Sequence, residues 1–283
     1  YEPMNEPFMG SLARNTFGLA GMKTKEKYPD FDFMTMQGIT PESQAYMSAI
    51  INKEFVKWDE DVLMSFYRRI QQAVSPFTEK ALVTGGNIYS SAAFDSGISR
   101  LESKDGDIWQ IYAPHGYDSV VDSDNYENFS QENVIHIFED KRKTQEKLNL
   151  PVVVGEWGAF PSKDFTNTLI EQMNLILEKY LWSSTYWQYL PGMENDKNYD
   201  ALKRAYPVEI SGSLCSYHYN RDEKQLYVEW DGLDLLCYVP FKTFESDNSD
   251  EISVKTVKQM DSAAYIMIEP QSKGRHRICI SGN

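Results

Sequence analysis

The chain has 283 residues, 41% of them hydrophobic and 25% charged, the proportions of a globular protein. Its net charge of −14 argues against a nucleic-acid partner, which recruits Lys and Arg, and against an anionic membrane surface. No apolar run reaches the ~18 residues that would suggest a membrane span, and Cys215, Cys237 and Cys279 have neither the number nor the spacing of a disulfide framework or a zinc site.

The chain opens on YEPMNEPF, whose Asn5-Glu6-Pro7 would by itself pass as a turn or a helix start. Residues 9–50 show little periodicity. Within them GMKTKEKYPDFDFMTMQGITPESQ reads as a long loop, of the kind that is usually functional or disordered. Its Tyr28, Phe31, Phe33, Met34 and Met36 suit a lipid contact and the packing of a cleft wall equally. DEDVLMSFYRRIQQAVSPF follows, with Val62, Leu63, Phe66, Tyr67, Ile70 and Val74 at helical spacing behind an acidic start.

KALVTGG reads as a short buried strand. DIWQIYAPHGYD reads as another, with His115 and Tyr117 at its end. QENVIHIFEDKRKTQEKLN is a helix whose inner side carries Val134, Ile135, Phe138 and Leu148. LPVVVGEWGAF is a β-branched strand ending at Glu156, DFTNTLIEQMNLILEKYLW the next helix, SSTYWQYLPG the next strand, and DALKRAY a short closing helix. Strands that are continuously apolar and alternate with helices predict a parallel sheet covered by helices. The polar and aromatic residues of interest fall at strand C-terminal ends, where a (β/α)8 barrel builds its site.

From Tyr206 the character changes. QLYVEWDGLDLLCYVP alternates with period two around Asp231-Gly232, a hairpin signal. SAAYIMIEP and HRICISG read as further strands with no helix between them. Residues 206–283 are therefore expected to form a small antiparallel β-sandwich after an α/β domain over 1–205. The cysteines are expected as buried free thiols, with a bridge between neighbouring strands left open.

Glu6 follows one strand and Glu156 ends another. In a barrel such ends converge, and two facing carboxyls are what glycoside hydrolysis needs: one gives a proton to the leaving oxygen, the other attacks the anomeric carbon, with retention if they stand roughly 5–5.5 Å apart. The 13% aromatic content, with 18 Tyr and 6 Trp, suits stacking on sugars as well as a large core. Nothing in these motifs calls for a cofactor or a metal. His136, His218 and His276 lack such context and read as structural or surface residues.

Taken together, NEP after one strand, the His115-Gly-Tyr117 triplet, GEWG on the next strand and a Trp on the strand after that resemble the clan A glycoside hydrolases, family 5. YEPMNEPF, YAPHGYD, VVVGEWGAF and the β-rich region entered through AYP are most similar to the endoglycoceramidase branch. The resemblance covers nearly the whole chain. It implies Glu6 as acid/base and Glu156 as nucleophile. It also implies Asn5 as the partner of the sugar 2-hydroxyl, Tyr117 as the hydroxyl that orients the nucleophile, His115 as its neighbour near the acid/base, and Trp187 as the aromatic floor of the first sugar subsite.

The family barrel has eight strands, of which NEP ends the fourth. The resemblance thus implies that this chain holds about strands four to eight of a TIM barrel, and that the first three, with an Arg and a His of the same subsite, come from elsewhere. The expected activity is a retaining β-glycoside hydrolase on glycolipid or related β-glucosides, secreted or periplasmic. A cellulase or β-glucanase-type enzyme and a non-catalytic carbohydrate-binding remnant are the alternatives.

Overall fold

The computed structural model describes residues 1–32, 38, 40–92, 94–101, 109–118, 120–121, 126, 129–247 and 251–283. Phe33, Met34 and Met36 of the expected loop lie outside the described residues. The chain forms a mixed α/β structure of two compact units, one of residues 1–159 and 183–187, the other of residues 160–182 and 188–283.

The first unit begins with helices where the sequence suggests a loop: α1 (Ser11–Lys27) and α2 (Pro41–Trp58). α1 escapes the apolar pattern because its buried positions are small, Ala13, Thr16, Ala20 and Thr24. Thr24 satisfies its hydroxyl by donating to the Ala20 carbonyl at 2.7 Å. α2 starts on a capping box: the Ser43 N–H donates to Thr40 Oγ1 and the Thr40 N–H to Ser43 Oγ. It buries Met47, Ile51 and Phe55, one helical turn apart. Phe55 stacks on Tyr89 with ring centroids 5.0 Å apart, and Phe17 of α1 meets both rings edge-on. The helical path continues through a π turn, Asp59–Leu63, into α3 (Met64–Val74).

The strands of this unit are short and parallel. β1 (Leu82–Thr84) pairs with β2 (Gln110–Tyr112), with Leu82 opposite Gln110. Residue 1 flanks β1 on its other side: the Tyr1 amino group donates to the Ala81 carbonyl and the Val83 N–H to the Tyr1 carbonyl. β3 (His115–Gly116), β4 (Val153–Gly158) and β5 (Ser183–Trp187) form a second parallel set. The single strand expected over DIWQIYAPHGYD is thus divided into β2 and β3, and Pro114, which has no N–H to give a ladder, lies at the division. Both pieces run along β4: Tyr112 bridges to Val152, and the Gly155 N–H donates to the Pro114 carbonyl at 3.0 Å. α4 (Gln131–Leu148) is capped by Ser130 and buries Val134, Phe138 and Leu148, together with Lys141.

The second unit carries α5 (Thr166–Tyr180) and antiparallel strands β6 (Tyr206–Asn220), β7 (Gln225–Val239), β8 (Phe244–Ser246), β9 (Ile252–Gln259), β10 (Ala264–Pro270) and β11 (Gly274–Gly282). All six belong to one hydrogen-bonded sheet. β6 pairs with the full length of β7, whose other edge takes β11 along its first half and β10 along its second. The hairpin turn lies at residues 221–224, not at Asp231-Gly232, which is internal to β7. There the two strands press together: a Cβ on Gly232 would lie 2.2 Å from the Ser211 carbonyl oxygen, and one on Gly212 2.1 Å from that of Asp231. Trp230, Leu235, Cys237, Val239, Ile266, Ile268, Ile278 and Ile280 fill the core of this unit. The three cysteines are free thiols, and burial pushes Cys237 up to about 12.

Candidate active site

Parallel pairing of β3 with β4 sets His115 directly opposite Glu156. His115 is 9% exposed, and the room for its ring is made by Gly155, where a Cβ would come 2.8 Å from His115 Nε2. This accounts for the first glycine of GEWG. The second, Gly158, has a φ of +106°, and a Cβ there would lie 2.3 Å from the Tyr186 ring.

The imidazole joins the two carboxylates. His115 Nδ1 is 2.9 Å from Glu6 Oε1 and 3.5 Å from Glu156 Oε2. One oxygen of Glu6, one of Glu156 and a His115 ring nitrogen all lie within 4.8 Å of one another. The Tyr117 hydroxyl donates to Glu156 Oε2 at 2.8 Å. The phenol and the imidazole thus both approach the same oxygen of Glu156, and among the described residues no bond to its other oxygen is seen. Glu6 reaches the cluster from a backbone with a φ of +38°, a region that residues other than glycine seldom occupy and that is often found at functional sites. The Ile88 N–H holds the next residue by donating to the Pro7 carbonyl at 3.0 Å.

The structure brings together Glu6, His115, Tyr117 and Glu156. Trp187 ends β5 opposite Gly158 and is 45% exposed, a face open for stacking two residues along β4 from Glu156. Asn5 is exposed beside Glu6, joined to the cluster by chain adjacency alone. Sequence reasoning read a turn at the end of the KALVTGG strand but gave it no part in the site. Gly85, Gly86, Asn87 and Ser91 line a small cleft with Glu6 and His115, and the Ser91 carbonyl accepts the Tyr117 N–H at 2.9 Å. Its signal was the Gly-Gly-Asn that ends the KALVTGGN strand.

Glu6, His115 and Glu156 could also close on a divalent cation, since carboxylate and imidazole are its ordinary ligands. The hydrogen-bond distance between His115 and Glu6, and the phenol on Glu156, suit proton transfer and nucleophilic attack without one.

No family model matches the chain, and no curated protein matches its sequence. Solved structures do match. Endo-glycoceramidase II from Rhodococcus sp., in complex with a five-membered iminocyclitol, superposes with a TM-score of 0.64 at 15% identity, over 90% of this chain and 68% of that one. An endogalactoceramidase superposes at 0.54 and 15% identity, over 97% of this chain and 62% of that one. Sterylglucosidase 1 of Cryptococcus neoformans superposes at 0.54 and 11% identity, over 80% of this chain and 45% of that one. The chain shares the fold of these glycosidases and spans about two thirds of the length of the first.

Proposed function

We propose that this protein is a retaining β-glycoside hydrolase of the endoglycoceramidase type. In this reading the Tyr1–Glu6 segment and β1 to β5 supply strands four to eight of a (β/α)8 barrel, and the six antiparallel strands of residues 206–283 form an accessory β domain. The observation that carries the proposal is the convergence of Glu6 and Glu156 on His115, with oxygens of the two carboxylates within 4.8 Å of each other. So close an approach supports the roughly 5–5.5 Å separation of a retaining pair over the roughly 6.5–9.5 Å that admits a water in an inverting one.

The chemistry then runs in two displacements. Glu6 gives its proton to the glycosidic oxygen while the free oxygen of Glu156 attacks the anomeric carbon, so that the aglycone leaves as an alcohol and a glycosyl ester forms. Glu6, now a carboxylate, takes a proton from water. The resulting hydroxide attacks the anomeric carbon and returns Glu156 as a carboxylate. Tyr117 holds Glu156 by its other oxygen, and His115 keeps Glu6 turned toward the same point. Asn5 takes the 2-hydroxyl and Trp187 the sugar face.

The substrate class proposed is a β-glycoside of a lipid, and the fold shared with an endo-glycoceramidase II and an endogalactoceramidase supports it. The experiment is turnover of an aryl β-glucoside, an aryl β-lactoside, a glycosylceramide in detergent micelles and a sterol β-glucoside. Release of an intact sugar from the ceramide glycoside with the β-configuration retained is expected. Hydrolysis of the sterol glucoside alone would reassign the aglycone, and an inverted product would overturn the mechanism.

A further inference from the structure

One buried carboxylate lies outside this chemistry. Asp59 sits at the start of the π turn between α2 and α3, a one-residue irregularity frequent at functional positions, and is 0% exposed. Both of its oxygens accept from Asn87 Nδ2 at 3.1 Å, and Oδ2 also accepts from Ser96 Oγ at 3.2 Å and from the Gly97 N–H at 2.9 Å. Gly97 permits the approach, since a Cβ there would lie 2.9 Å from that of Asp59 and 2.2 Å from the Val56 carbonyl oxygen. Burying a carboxylate is costly, and an apolar residue in such a place is often as stable or more so. Stability alone is therefore a poor reason for Asp59.

The group it grips supplies a better one. Asn87 starts the turn Ile88–Ser91, its Oδ1 accepting the Tyr89 N–H at 3.1 Å. From that turn the Ile88 N–H reaches the Pro7 carbonyl, next to Glu6, and the Ser91 carbonyl takes the N–H of Tyr117, whose hydroxyl holds Glu156. Lys141 of α4 secures the turn from behind, donating to the Ser90 carbonyl. A single turn thus fixes the backbone beside the acid and the backbone beside the residue that orients the nucleophile.

We propose that Asp59 is a positioning residue for the carboxylate pair: by holding Asn87 it fixes the turn that sets Glu6 and Tyr117 relative to each other. This rests on the glycosidase reading of that pair.

The test is Asp59→Asn, which keeps the shape but sets an amide N–H against that of Asn87. The exchanged pair Asp59→Asn/Asn87→Asp restores donor to acceptor and keeps the cap on Tyr89. On an aryl β-glucoside, Asp59→Asn should lower kcat by about 10- to 100-fold with KM within about threefold, because a small displacement of reacting groups costs that much. The exchanged pair should recover most of the loss. A lowered melting temperature with kcat retained in the folded protein would overturn the proposal. If Asp59→Asn does not fold, Asn87→Ala decides, since it leaves the bonds of Asp59 to Ser96 and Gly97 in place. Loss of kcat supports the proposal and an unchanged kcat overturns it. If the wild-type protein turns over no β-glycoside, the glycosidase reading fails separately. The imidazole 15N resonances of His115, which report its hydrogen bond to Glu6, then settle the positioning: a shift in the Asn87→Ala protein supports it, and unchanged resonances overturn it.

Discussion

Glu6 and Glu156 are the same residue type, and the proposed mechanism gives them different work. Tyr117 donates to one oxygen of Glu156 at 2.8 Å, and the proposal assigns the attack to the other. Removing that hydroxyl by Tyr117→Phe discards a bond to a charged group, worth roughly 1.5–3 kcal/mol. It should lower kcat by about 10- to 100-fold, with KM on an aryl glucoside little changed. A loss confined to KM would show that the phenol binds sugar instead. Glu6→Ala should cost about 10²–10⁴-fold on substrates with poor leaving groups, the usual value of general acid help, and much less on activated aryl glycosides, on which added azide should restore part of the rate. Equal losses across leaving groups would remove Glu6 from the acid role. These residues stood out in the sequence because HGY and GEWG fall at the ends of β3 and β4, while the segment before NEP pairs with the edge of β1 only at Tyr1. The role of Asn87 did not, because an asparagine after two glycines reads as a plain turn until the Ile88 bond to Pro7 is seen.

At the scale of elements, α4 holds a cation where its pattern suggests an apolar stripe. Burial pushes the Lys141 ammonium down to about 8, against the opposing pull of Asp140, Asp95 and Asp59. An unfolded lysine titrates near 10.4. Between about pH 8 and 10.4 the unfolded chain keeps this proton while the folded chain has lost it, so stability rises through that window. Below about 8 both states are protonated and the contribution is flat. Urea unfolding of the wild-type and Lys141→Met proteins at pH 7.5 and 10 should show a wild-type gain of up to about 3 kcal/mol that the variant lacks. Parallel pH responses would show that Lys141 titrates normally. Gly155→Ala should disable the site by driving a methyl to within 2.8 Å of His115 Nε2. It should cost about 1–3 kcal/mol in stability as overpacking, along with activity, and an unperturbed melting temperature would contradict the close approach. α4, β4, α5 and β5 were readable from apolar runs and periodicity. α1 was not, since Ala13, Thr16, Ala20 and Thr24 bury a face with almost no apolar signal. In β7 the alternation Leu226, Val228, Trp230 resumes as Leu235, Cys237, Val239, a slip of one residue at Leu233-Asp234, just past Gly232. That slip marks an irregularity inside one strand, and the adjoining Asp-Gly made it look like a turn.

At the scale of the molecule, the shift of composition at Tyr206 marks the onset of the antiparallel strands, whereas the compact unit that contains them begins at residue 160. The reason is polar and invisible to periodicity. Glu178 of α5, 6% exposed, accepts from Arg204, from the N–H of Tyr219 on β6 and from His218 Nδ1 at 2.8 Å, which ties the helix to the strands that follow it. Among the described residues, Glu178→Ala would leave Arg204 with Glu171 as its one carboxylate partner. It should destabilise the second unit by about 3–5 kcal/mol, the usual effect of breaking a buried pair, and a melting curve that does not move would show the cluster to be incidental. The central claim concerns the first unit and is best tested on the intact chain. Incubation with a 2-fluoro β-glycoside bearing an activated leaving group, followed by peptide mass mapping, should find one fluoroglycosyl ester, on Glu156, because the fluorine slows both displacements while the activated leaving group keeps the first fast enough for the ester to accumulate. A label on any other residue, or turnover of β-glycosides with no label anywhere, would contradict the account.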